Sequence, residues 1–252
     1  MKSKTSILIL TCISIISCAF YQRPEFDEFV AIEVTFVIKT DQPEFNKMIG
    51  KGNCVKIISF EDMRIFNVIK THEISKEEVM RKDTVNEFYV VNNGEKKGIF
   101  YSFDSLARKK TGSFDLDTLL KYKGLDKQNL AINQLDLGKP FETKNYGNLR
   151  IEKYVVKKTK DTDPDTIYRH YDSALKNVAF SLSDSLDRAS NSKLCKTVII
   201  HNKSVPVSDV ADVAPRIVEV SWSLEKINIK NKVDLLKAFE LFSLEKKKQL
   251  PK

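Results

Sequence analysis

Apolar and polar side chains alternate through much of this chain, and that two-residue rhythm constrains its fold more than any motif does. Successive side chains of a strand point to opposite faces, so alternation marks a sheet with one face buried. Residues 30–39 (VAIEVTFVIK) show it best. Ile32, Val34, Phe36 and Ile38 fall on one side, and Glu33, Thr35 and Lys39 on the other. Further strand-like runs occupy 54–60, 64–70, 148–156, 166–171, 178–182, 194–201 and 216–224. Residues 87–91 and 98–101 flank Asn93-Gly94, a dipeptide that supplies the positive φ angles of a hairpin turn. About ten strands are expected.

Helical signals are fewer. Ser75-Lys76-Glu77-Glu78 has the spacing of a capping box and predicts a short helix. Residues 115–123 read as a second helix, with Asp115 at the start and Gly124 as the stop. Near the C-terminus, Leu235, Phe239 and Phe242, with Val233 and Leu236 beside them, make one apolar stripe. That stripe is expected to pack on a sheet; the sharper alternative is a partner-binding helix. Strands do not alternate regularly with long helices, which argues against a doubly wound parallel fold. The expected class is α+β: a mostly antiparallel β-sheet with a few short helices and a C-terminal amphipathic helix. Residues 125–147 are polar and mixed. They divide an N-terminal β-rich lobe, 29–124, from a C-terminal one, 148–252, unless the two make one domain. A content of 42% hydrophobic and 30% charged residues excludes a disordered tail and a multi-span membrane protein.

The first twenty residues, MKSKTSILILTCISIISCAF, carry the strongest functional signal. Lys2 and Lys4 precede an apolar run from Ile7 to Ile16, and small residues follow at Ser17 and Ala19. This is the three-part layout of an export signal. The run is about ten residues, against roughly 17–25 for a bilayer span. Ile15-Ile16-Ser17-Cys18 resembles the lipobox of bacterial lipoproteins, although the commonest box has Leu first and Ala-Gly before the cysteine. The resemblance covers four residues with their apolar context and says nothing of the mature domain. It implies a signal peptide of residues 1–17, cleavage before Cys18, and a lipid on the Cys18 thiol. Residues 18–28 would then be a tether, and the chain a membrane-anchored protein of the bacterial cell envelope. Acyl chains contribute about 0.8 kcal/mol per buried methylene, so several on Cys18 would anchor without a transmembrane helix. Cleavage after Ala19 would instead give a freely secreted protein. An uncleaved leader would serve as an anchor, and a cytosolic protein would bury the segment as a helix.

Of the four cysteines, Cys12 falls in the leader and Cys18 at the lipid site, leaving Cys54 and Cys195. An exported compartment permits a disulfide between these two, and separate buried thiols are the alternative. The net charge is +8, two units of it on Lys2 and Lys4. The rest is dispersed, with acidic residues close by, so no nucleic-acid partner is expected.

Chemistry-bearing motifs are sparse. His72-Glu73 begins like a zinc-protease helix, but the position one turn on is Lys76, which is no ligand. Asp161, Asp163 and Asp165 place oxygens at alternate positions, as a calcium loop does, and Asp172 stands at the twelfth. Thr166 occupies the sixth, where the loop turns on Gly, and an Asx turn explains the aspartates without metal. Tyr168, His170 and Asp172 would share a strand face, and a His beside a carboxylate can act as a general base. There is no G-x-S-x-G elbow, P-loop, Rossmann fingerprint or CxxC, and no cofactor is called for. The leading expectation is an exported, lipid-anchored binding or structural module, of unknown ligand and without catalytic chemistry. A secreted hydrolase using the His170 region and a calcium-stabilised adhesion module are the alternatives.

Overall fold

The alternation of residues 30–39 becomes strand β1 (Val30–Thr40), which pairs antiparallel with β2 (Asn53–Phe60) on one side. In the computed structural model, the described residues are 29–49, 52–60, 62–76, 79–103, 109–126, 130, 136–160, 163–202, 217–229 and 232–249. From β2 the chain meanders through β3 (Met63–Lys76), β4 (Val79–Asn92), β5 (Lys97–Phe103) and β6 (Lys109–Asp115). A second meander runs through β7 (Glu142–Tyr146), β8 (Leu149–Val155), β9 (Thr166–Asp172), β10 (Lys193–His201) and β11 (Val218–Lys226). β11 returns to pair with the free side of β1. The result is one eleven-stranded sheet in the order β6-β5-β4-β3-β2-β1-β11-β10-β9-β8-β7. The stretches expected as two lobes thus share a sheet. Residues 125–147, expected as a connection, contain the edge strand β7.

Register assigns every side chain to a face. Ile32 opposite Ile57, Val34 opposite Val55 and Phe36 opposite Trp222 set one apolar face, here the core face. It continues into Tyr154, Ile167, Ile199 and Leu224 of the second meander. The chain between β6 and β7 joins opposite edges of the sheet. Leu119, Leu125, Leu130 and Leu137 along it pack on the core face. Its first turn is helix α2 (Leu116–Tyr122), which follows α1 (Pro43–Ile49) in the chain. Asp115 accepts from the Thr118 amide as its N-cap, and Gly124 follows at φ +70°, as the sequence predicts.

The opposite face is covered on one half by the C-terminal helix α4 (Lys232–Gln249). Its Leu235, Ala238, Phe239 and Phe242 pack on Phe60, Ile65, Phe88, Val90 and Tyr101. Phe239 sits 5.5 Å from Phe29 and 5.4 Å from Phe60, ring centre to ring centre. The expected stripe therefore seals the first meander and is not free for a partner; Val233 lies off it, 75% exposed. Fully burying such side chains contributes about 1.5–3 kcal/mol each, which fixes both register and helix position.

Several local expectations give way to tertiary pairing. The capping box at Ser75 does not start a helix. Ser75 pairs with Met80 and Lys76 with Val79 at the end of a fourteen-residue hairpin. A capping signal is worth about 1 kcal/mol and loses to a long run of cross-strand pairs. Residues 178–182 are not a strand. Val178, Phe180 and Leu182 alternate inward as a non-strand strap on the core face. The strap follows a 3-10 turn (Ser173–Leu175) and leads to α3 (Asp184–Ser190). The Asn93-Gly94 hairpin forms as expected, with Gly94 at φ +82°, although its loop runs to Lys96.

Cys54 lies on β2 and Cys195 on β10, with β1 and β11 between them, and both are free thiols. Three strand spacings are roughly 14 Å, twice the Cα separation that a disulfide tolerates. The possible bridge between them is ruled out by topology.

Candidate functional site

The face that α4 covers on one half is also buried on β10 and β11, at Val198 and Ser221, and over β7–β9 it has no covering element among the described residues. Two cross-strand rows cross this half of the face. One runs Lys144, Ile151, His170, Lys196 on β7, β8, β9 and β10. The next runs Glu142, Lys153, Tyr168, Val198 on the same strands. A cavity of about 290 Å³ opens between the rows over β7–β9, with Tyr146 at one end. Tyr146 and Phe141 stand at the two ends of the edge strand, 60% and 74% exposed.

The charges in this cavity are unevenly matched. Glu142 holds Lys144 at 3.0 Å, which pushes the Lys144 ammonium upward in pKa. Lys153 has no such partner among the described residues. Its ammonium lies 5.8 Å from the Phe141 ring centre and 5.9 Å from that of Tyr168. Such cation–π contacts contribute about 0.5–1 kcal/mol at exposed sites and leave the charge available. Burial lowers the His170 pKa, and the neighbouring Lys196 lowers it further, so its imidazole is neutral at pH 7. A neutral imidazole offers one donor and one acceptor rather than a charge.

The structure brings Tyr168 and His170 together on this face, as strand geometry predicts. Asp172 instead caps the 3-10 turn, accepting from the Ala174 amide at 2.8 Å. No carboxylate partners the His170 ring among the described residues. Ser181 donates to Asp187 at 2.7 Å, and Ser173 turns to Asn148. Cys195 packs against the core-face cluster and donates to the His170 carbonyl oxygen rather than to its ring. Burial pushes the Cys195 thiol up to about 11, and burial with a Glu33 hydrogen bond does the same for Cys54. Both are protonated at neutral pH and poor nucleophiles.

Each described aspartate of the calcium-like run has a structural partner. Asp163 accepts from the amides of Thr159 and Lys160 and from the Thr159 hydroxyl, which holds its carboxyl below the usual range. Asp165 binds Lys158 at 2.8 Å and accepts from the Asn202 amide, with the same effect. Asp161 lies outside the described residues, as does Cys18. His72 stands on β3 opposite Asp83, on a strand and not on a helix. Among the described residues no three metal-ligating side chains converge.

Sequence reasoning found His170 and Tyr168 but missed Glu142, Lys144, Tyr146 and Lys153. The alternation Glu142-Lys144-Tyr146 was the available signal, obscured by the polar character of both faces of β7, all five residues of which are exposed. No protein-family model, curated protein or solved structure matches this chain.

Proposed function

We propose that this chain is an exported envelope protein, held to a membrane by a lipid on Cys18, that works as a binding module through the cavity over β7–β9. The leader and the Ile15–Cys18 box support export and anchoring. No helix among the described residues is long and apolar enough to cross a membrane, so the lipid supplies the attachment in this reading. The observation that carries the binding role is the asymmetry of one sheet face. α4 seals the first meander with four buried side chains, whereas the second keeps an open cavity with a cation that has no ion pair among the described residues. Ligand sites are concave, with a few placed polar groups on an apolar or aromatic lining.

Two measurements test this reading. Cells fed an alkyne-tagged palmitate should label the wild-type chain, and Cys18→Ser should abolish the label and release the protein from the membrane pellet. Unchanged partitioning of the variant would count against the anchor. Detergent-solubilised protein should co-sediment with the insoluble envelope fraction, and Lys153→Glu should reduce that association several-fold. An unaffected Lys153→Glu variant would remove the cavity from the function.

A further inference from the structure

We infer that the cavity over β7–β9 takes an anionic sugar: a single pyranose ring bearing a carboxylate or a phosphate. The inference rests on the binding reading above and gives its ligand class. Size comes first. At about 290 Å³ the cavity lies at the lower end of ligand sites, which suits one small ring and not a peptide or a polymer segment.

Charge is the second constraint. Among the described residues Glu142 is the one carboxylate lining the cavity, and it pairs with Lys144. Among the described residues Lys153 is left without an ion pair, its ammonium beside two aromatic rings. With Glu142 matched by Lys144, the lining keeps the Lys153 charge, which attracts an anion and repels a cation. A charged substituent at one end of a ring meets Lys153, while its hydroxyls reach toward the neutral His170 ring.

Aromatic geometry is the third. Tyr168 lines the cavity, and Tyr146 is largely exposed beside it. Tyrosine presents an apolar ring with a polar tip, which matches a sugar's C–H face and its hydroxyl rim. A bare anion uses the lysines but not the rings. A neutral sugar uses the rings but leaves Lys153 unmatched.

Calorimetric titration of the detergent-solubilised full chain tests this, with methyl glucuronoside, glucose 6-phosphate, glucose, AMP and inorganic phosphate as probes. The expected result is measurable binding of one or both anionic sugars, at least tenfold tighter than glucose, AMP or phosphate. The carboxylated and phosphorylated probes tell which anion is preferred. Lys153→Gln should weaken that binding at least tenfold. Lys96→Gln, whose ammonium pairs with Asp117 at 2.7 Å at the opposite end of the sheet, should leave it unchanged. Tyr168→Phe keeps the ring and should retain most of the affinity, which separates stacking from hydrogen bonding. Binding of glucose, AMP or phosphate as tight as the anionic sugars would overturn the inference. So would Lys153→Gln binding like wild type. Loss of every sugar signal while envelope co-sedimentation persists overturns the ligand class and leaves the binding role standing. Loss of both overturns both.

Discussion

Removing the Asp187 carboxylate should destabilise the protein more than most single changes, and the structure sets the size. Asp187 sits on α3, and its side chain is 14% exposed. One oxygen accepts from the Leu194 amide at 2.6 Å; the other meets the Lys193 ammonium at 2.9 Å and the Ser181 hydroxyl at 2.7 Å. Lys193 is itself only 9% exposed. This one carboxylate therefore ties the core-face strap, α3 and the first turn of β10 together. In Asp187→Ala the lysine stays buried without a counter-charge, which costs about 3–5 kcal/mol. For a chain of this length, each kcal/mol lowers Tm by about 2–4 °C, so the melt should fall by roughly 6–20 °C. Asp187→Asn keeps an acceptor for the Leu194 amide and should fall between that variant and wild type. Replacing both charges, as in Asp187→Leu with Lys193→Met, removes the orphaned cation and should recover much of the loss, because an apolar pair can replace a buried ion pair. Urea melts with matched m-values provide the assay. A cost below about 1 kcal/mol for Asp187→Ala, or a double variant no better than the single one, refutes the reasoning.

Further expectations concern the thiols, the helix seal and a turn. Alkylation of denatured, unreduced protein should modify both Cys54 and Cys195, and a mass gain only after reduction would contradict the topology. In the folded chain both thiols sit near 11. Only the thiolate reacts, so alkylation of the exposed Cys54 should be slow at pH 7 and rise about tenfold per pH unit until the pH approaches 11. A rate that levels off near pH 8 would show an ordinary thiol. Phe239→Ala should cost about 3–5 kcal/mol in urea melts, since it vacates a buried site against two phenylalanine rings. Gly94→Ala should cost about 1–2 kcal/mol from its positive φ alone, because nothing lies within 4 Å of the added methyl. A neutral Gly94→Ala would mean the turn relaxes.

Period and turn chemistry made most of the sheet legible. β1, β2, the Asn93-Gly94 hairpin, β8–β11, α2 and α4 were all readable from the sequence alone. The remaining elements are set by distant partners. The 71–84 stretch carries a local helix signal but forms a hairpin only because the two runs find each other in register. β6 hides behind Lys109 and Lys110, and its Gly112 makes room for the ring of Phe100, whose Cε1 would lie 2.6 Å from an added Cβ. The return of β11 to β1 has no local signature at all. The cavity was half legible for the same reason: Tyr168 and His170 lie on a clear strand, whereas Lys153 gains its meaning only when β7 brings Glu142 and Lys144 alongside.

Because the earliest strand ends up beside the latest one, at the middle of the sheet, assembly of this protein is governed by its tail. Until β11 is available, β1 and β10 each expose an unpaired edge, and the two meanders cannot merge. Pairings such as Ile32 with Lys226 close roughly three-quarters of the chain into one loop, a topology of high contact order that folds slowly. A fragment ending before Val218 would thus be left with two adhesive borders where the finished molecule has a seam.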